Sequence, residues 1–555
     1  MPIDEHSPTS SLEPLPRAQE EYFLGLFWQS YHCTLQIVDE DDFKKHYTSL
    51  FTTAGKPRKA SALVDIILAL CMQYGVACAP RNKATMRSHM EVDGEDATIA
   101  GRWLYRRSQT LLSAELESPT ILTLQCHLFS VYYLCCASFQ NMAHTTLALA
   151  IRTAHILGLH FEPSEKLSPK DRELRKRLWW TLYSLESKTC MKLGRPWSGE
   201  LSQTSCTLPV DDYELAKLSG STFAAEDVTW LTYTRQNTKL VLATQTVYHA
   251  FYDKCADILG TDGGITLYND PNTMETCAKS LSHRMQSLHA WTQELPAGMK
   301  TQRQGPGIPY STDESPLGIE QFAPPWLQRQ RLLLELLYHN LAMNLYRPFI
   351  AFSKTSGSTT PTAEEHANAC AKHAITITQT MHQILTETEL LNGWHEAFQW
   401  QWNATLSLIG FVLAYPLAGT SLSARKAINS AISVFEYFGK NFAMATSAAN
   451  VTRDLAAKAD FLGQCLQSNI ATPQSMPTPN DVASLQPPSA NSPYMINNRA
   501  SSEALFPPMD EASGLFPSGV AGSMDMAFSV DAFNSFEPLW GTSSNMSSMW
   551  NFTQD

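Results

Sequence analysis

The sequence predicts an all-α protein: a large multi-helix domain with a disordered N-terminal lead and a disordered C-terminal tail. Three observations point that way. From Glu20 onward, apolar residues recur every three or four positions in long segments, while strand-like alternation is scarce. Short Pro and Gly clusters separate those segments. After about Leu466 the composition turns to Ser, Pro, Asn and Met, and no lysine occurs beyond Lys458. With 44% hydrophobic residues the chain as a whole is not disordered, because that fraction buries enough surface to offset backbone entropy.

Taken in order, residues 1–17 are Pro- and Ser-rich, lack an apolar period and form the lead, and the helical domain spans 18–465. Helices are expected at about 19–32, 42–53, 59–79, 97–116, 120–137, 141–159, 226–259, 273–293, 326–347, 362–392, 396–415, 422–441 and 444–468, with a further one starting at Ser168-Pro169. Ser118-Pro119 and Ser168-Pro169 look like helix starts, serine capping orphan N–H groups and proline taking the first helical position. Asp171 follows Ser168 by three and suits the positive end of the helix dipole. Leu174, Leu178, Leu182 and Leu185 then draw one buried stripe. Arg172, Arg175, Lys176 and Arg177 fall largely off it, and Glu173 forms an i,i+4 pair with Arg177, so this basic cluster is expected to be a solvated surface. Trp179 and Trp180 are consecutive, and one is expected in the core, the other on a neighbouring helix. Gly194-Arg195-Pro196 ends the helix, glycine accepting a left-handed cap and proline stopping continuation. Pro and Gly make about 295–325 an irregular loop. The most apolar stretch, Ala404 to Gly419, is about four residues short of a membrane span, contains Pro416, and is expected to be a buried helix.

The formal net charge is −12, which excludes a general polyanion binder; phosphate affinity would need a local basic module. Residues 466–555 hold eight acids (Asp481, Glu503, Asp510, Glu511, Asp525, Asp531, Glu537, Asp555) against one base, Arg499. The tail therefore contributes −7 and the preceding residues −5. No basic start with an apolar run and small-residue cleavage site occurs in the first thirty residues, so secretion is not expected. The twelve cysteines are scattered through apolar segments and suit small buried hydrophobes in a reducing compartment. No Cys-x-x-Cys occurs, and neither do the nucleophile-elbow, phosphate-loop, dinucleotide or His-Glu-x-x-His signatures of common enzymes. His155 and His160, five apart, are expected on different faces as core or surface histidines. Cys126-His127 point apart on a helix, which argues against a catalytic couple. Lys56-Pro57-Arg58-Lys59 is expected to be an ordinary loop.

One run carries more than periodicity: Arg175-Lys176-Arg177, Leu178-Trp179-Trp180, an aliphatic helix, Gly194-Arg195-Pro196, then Leu208-Pro209 with Asp211 and Asp212. It resembles the regulatory, or middle homology, domain of fungal zinc binuclear cluster transcription factors. Three more segments resemble that family in the same order: Tyr22-Phe23 through Asp42-Phe43, Ala148 to His160 (with Arg152 and Gly158), and Leu337 to Ile350 with Arg347-Pro348. Where the family carries an Asp-Arg pair within the Trp-Trp helix, this chain has Glu186-Ser187. The resemblance also implies an N-terminal cluster of six cysteines on two zinc ions. Here the first cysteine is Cys33, already among the regulatory-type helices, so no zinc or other cofactor is expected in this chain unless a six-cysteine cluster exists upstream.

In the tail, Phe528, Phe533, Phe536 and Trp540 alternate with Asp531 and Glu537, a composition that suits a disordered activation segment presented to a coactivator groove. The expected function is a nuclear fungal transcription regulator, an activator of metabolic genes: polysaccharide or sugar catabolism first, a secondary-metabolite cluster second. Expected partners are RNA polymerase II coactivators, a second copy or a related regulator, and DNA only through a missing or partner module; no membrane is expected. A co-regulator that never touches DNA and a helical small-molecule enzyme are the alternatives.

Overall fold

The computed structural model describes residues 15–471 apart from 53–55, 79–95, 199–202, 213, 215, 217–227, 263–266, 269, 321 and 353–359. In order, the chain forms α1 (Arg17–Leu26), which runs into a π turn (Phe27–Tyr31), α2 (Glu40–Ser49), α3 (Ala62–Cys78), α4 (Arg102–Ser113), α5 (Ile121–Cys136), α6 (Gln140–Ile156) and α7 (Pro169–Leu193). After them come α8 (Thr232–Asp262), α9 (Pro271–Arg284), α10 (Gln286–Glu294), α11 (Pro325–Tyr346), α12 (Pro361–Glu387), α13 (His395–Ala414), α14 (Ser421–Phe438) and α15 (Ala443–Ala471). Among the described residues the β content is one isolated antiparallel bridge, Arg303 to Leu317. The expected all-α class is what the chain adopts.

Helices apolar on every face sit at the centre. α3 is buried continuously from Ala62 to Tyr74, and α13, which holds the start of the Ala404–Gly419 stretch, is buried along most of its length. No helix among the described residues is long and apolar enough to cross a membrane. α3 packs on α1, α4 and α5, α5 pairs with α6, and α7 joins α6 to α8. α8 then supports α9, α10 and α11, and α11 to α15 pack successively. One connected core runs from Leu24 to Ala459.

Several local expectations change. The first helix starts at Arg17 and the last continues past Leu466 to Ala471. Ser118-Pro119 does not cap α5: Thr120 does, its hydroxyl accepting from Thr123 N while Thr123 answers the Thr120 N–H, a closed capping box. The stretch 273–293 is two helices that break at Met285, whose side chain is buried. Lys56-Pro57-Arg58-Lys59 is more than a loop. Arg58 is enclosed, with its guanidinium 2.9 Å from Glu20 and 2.6 Å from Asp65, and Asp65 is gripped from its other side by Arg107 at 2.6 Å.

Candidate functional site

α7 begins as its sequence indicates. Pro169 takes the first turn, and the Ser168 hydroxyl accepts from Asp171 N (3.1 Å) and donates to its carboxylate (2.7 Å). The basic cluster that follows is not a solvated face. Lys176 is buried and reaches Glu162 (2.7 Å), Glu173 (3.4 Å) and the Thr207 hydroxyl (2.8 Å). Arg177 is buried too: it donates to the Gln36 carbonyl (2.8 Å), and desolvation pushes its guanidinium down to about 10, so it stays charged at neutral pH. The expected Glu173–Arg177 pair is replaced by Glu173 accepting from Val210 N (2.8 Å). Extended segments around Gln36 and Val210 cover both flanks of the helix, and periodicity along α7 alone does not reveal such covers.

Both tryptophans are buried. Trp180 Nε1 donates to the Thr207 carbonyl (2.9 Å), while the Trp179 ring meets His155 and His160 at centroid distances of 5.8 and 6.0 Å. His155 and His160 lie 5.0 Å apart, not on different faces, because α6 ends at Ile156 and Gly158 (φ +66°) reverses the chain. Among the described residues no group of three or more His, Cys, Asp or Glu is placed to hold a metal ion. Arg152 is exposed on α6. At the far end of α7, Gly194 (φ +61°) caps the helix, Arg195 donates to Asn141 Oδ1 (2.6 Å), and the exposed Pro196 leads out. Glu186, where the family carries its acid-base pair, accepts from Ser198 N (2.6 Å) and so ties the Gly-Arg-Pro exit back onto the helix. Asp211 accepts from the hydroxyls of Thr229 (2.6 Å) and Thr232 (2.5 Å), anchoring the start of α8. Arg347-Pro348 lie apart from these residues, in a short 3-10 turn after α11 where burial pushes the Arg347 guanidinium down to about 10. The motif residues are thus frame contacts at two places rather than one reaction centre. Phe528, Asp531, Phe533, Phe536, Glu537 and Trp540 lie outside the described residues.

Behind the C-terminal half of α7 is a cavity with about 1070 Å³ of space free of atoms, partly open to solvent. α5, α7, α8, α11 and α13 wall it, with Gln140 at the start of α6. A second space of about 670 Å³ shares Tyr132, Cys136, Leu185, Lys188, His395 and Glu396 with it. Much of the lining is apolar or aromatic, including Leu345, Tyr248, Phe251 and Trp400. Its polar groups converge on one side. Lys188 pairs with Glu396 (3.0 Å), and Lys192 donates to Gln140 Oε1 (3.0 Å) and Gln399 Oε1 (2.8 Å). Burial and the neighbouring Lys192 push His395 down to about 3, which leaves it neutral. Gln140 Nε2, Gln399 Nε2 and Asn344 Oδ1 are buried without a hydrogen-bond partner. Of these residues the sequence pattern singled out Leu185, as part of the α7 stripe; the polar groups come from helices scattered over most of the chain.

The model of the fungal specific transcription factor domain matches residues 24–255. Transcription factor asqA of Emericella nidulans is 44% identical over 454 residues, covering 80% of this chain and 79% of that protein. This chain belongs to the fungal-specific transcription factor family. The terreic acid cluster-specific transcription factor atF of Aspergillus terreus is 40% identical, over 80% of this chain and 69% of its own length. The oosporein cluster regulator OpS3 of Beauveria bassiana is 24% identical, over 78% and 60% respectively. Family and relatives are transcription factors, not enzymes. The family match ends within α8, so the cavity lies between the matched helices α5, α7 and α8 and two helices that follow the match, α11 and α13.

Proposed function

We propose that this fungal transcription factor is a nuclear, pathway-specific activator of a secondary-metabolite gene cluster. The supporting observation is the likeness, over four fifths of the chain, to relatives that include a terreic acid cluster-specific factor. It moves the secondary-metabolite reading ahead of sugar catabolism. In this reading residues 18–465 are the regulatory domain and 466–555 recruit coactivators, with Phe528, Phe533, Phe536 and Trp540 as the apolar anchors. DNA contact falls to a zinc module outside these 555 residues, its own or that of a partner regulator, with a second copy or a related chain as dimer partner.

Disrupting the gene and profiling transcripts tests this. The transcripts of one contiguous biosynthetic cluster should fall together; a change confined to sugar-catabolic transcripts would return the reading to sugar metabolism. Activation is tested separately by tethering residues 466–555 to a DNA-binding domain at a reporter. Phe533→Ala, Phe536→Ala and Trp540→Ala together should abolish output, and unchanged output would remove the tail from the mechanism.

A further inference from the structure

We propose that the cavity between α7 and α13 binds an acidic aromatic small molecule, one with a carboxylate or ionised phenol on an otherwise apolar ring system. The proposal deepens the regulatory reading above and rests on it, since the bound molecule would be the signal the domain answers.

The lining is the first argument: small-molecule sites are mostly apolar and carry a few convergent polar groups, as this space does. The aromatic rings of Tyr248, Phe251 and Trp400 suit a planar partner. Charge is the second. Lys188, paired with Glu396, and Lys192, on the Gln140 and Gln399 amide oxygens, bring two ammonium groups to the polar side beside a neutral His395.

Hydrogen-bond chemistry is the third. A lysine ammonium only donates, so Gln140 and Gln399 must turn their carbonyl oxygens to Lys192, and this fixes the side-chain amide orientation. Their NH₂ groups then face elsewhere, and both are buried without an acceptor, Gln140 at 2% exposure. Buried donors of this kind are rare in folded proteins and call for an acceptor. Two orphaned amide donors beside a lysine form a carboxylate or phenolate cradle. Asn344 Oδ1, also orphaned, would accept from a ligand hydroxyl. Such a ligand would join α7 of the family-matched segment to α11 and α13 beyond it.

The full chain is titrated calorimetrically with 2-naphthoate and with its uncharged counterpart, 2-naphthamide. One saturable site is expected, about tenfold tighter for the acid, the margin expected of a charge-assisted hydrogen bond. Lys192→Met should bring 2-naphthoate down to the affinity of the amide while leaving the amide unchanged, and Gln399→Leu should weaken the acid selectively. Leu345→Trp, which fills the cavity from its apolar wall, should remove both. Circular dichroism melts establish that each variant is folded, and Gln399→Leu carries the test if Lys192→Met is not. Equal affinity for acid and amide, no saturable binding, or acid binding unchanged in folded Lys192→Met and Gln399→Leu would overturn the site. Loss of the site with cluster control intact in the gene disruption leaves the regulatory reading standing. Binding without cluster control leaves the site and removes that reading.

Discussion

Glu335 is enclosed on α11, and its carboxylate collects the Arg303 guanidinium, the Thr301 hydroxyl and the Tyr310 backbone N–H (2.8 Å). Burial by itself would raise its pKa, but His339, Arg303 and Thr301 outweigh burial and hold it down at about 2. One acid thereby gathers three points of the Pro- and Gly-rich loop that the sequence showed only as irregular. In an unfolded chain a glutamate titrates near 4.3, so the folded pKa is the depressed one. Its stabilising effect is complete above that value and lost as pH falls from about 4 towards 2. Glu335→Gln should therefore melt lower than wild type at pH 7, with the gap narrowing below about pH 4; a gap independent of pH would refute the hub. Asp65, the lone acid in the run ALVDIILAL, also gathers partners in α3, where Arg58 and Arg107 hold its carboxylate. Asp65→Ala leaves Arg58 with Glu20 alone and exposes no compensating surface, so urea unfolding should show a loss of about 3 kcal/mol, at the low end for breaking a buried pair. A loss within experimental error would mean that Glu20 satisfies Arg58 unaided.

At the scale of elements, the existence of the helices was legible and their ends were legible only where local chemistry decides them. Ser168, Pro169 and Gly194 bracket α7 as their side chains and backbone freedom dictate. The start of α5 was misplaced by two residues because Ser118-Pro119 and Thr120 both have the chemistry of a cap, and tertiary position selects Thr120. Thr120→Ala should cost about 1 kcal/mol in a chemical unfolding experiment while Ser118→Ala costs next to nothing. The reverse order would restore the serine as cap. At Met285 no Pro or Gly announces the break between the two helices. The burial of Lys176 and Arg177 was equally out of reach, since it depends on segments around residues 36 and 207 that α7 does not encode.

At the scale of the molecule, the family match ends at residue 255, yet the packing does not divide there. α8 is shared: its Phe251 meets Phe349 at 5.8 Å, and α9, α10 and α11 lie against it. The first helices depend on the last ones through buried polar groups. Gln330 on α11 donates to the carbonyls of Cys33 (2.7 Å) and Trp230 (2.8 Å), Arg329 donates to that of Gln29 (3.1 Å), and Trp394 stacks on Tyr31 at 5.1 Å. Cutting the chain after Asp262 would strip these donors and expose one long face of α8, leaving a broad apolar surface in water. A fragment of residues 1–262 is therefore expected to be aggregated or molten, with helical far-ultraviolet dichroism, strong binding of a hydrophobic dye and no cooperative melt. Residues 15–471, which contain the whole core, should melt in one transition. A monomeric 1–262 fragment with a cooperative melt near that of 15–471 would show that the family segment folds alone and that the later helices are an appendage to it.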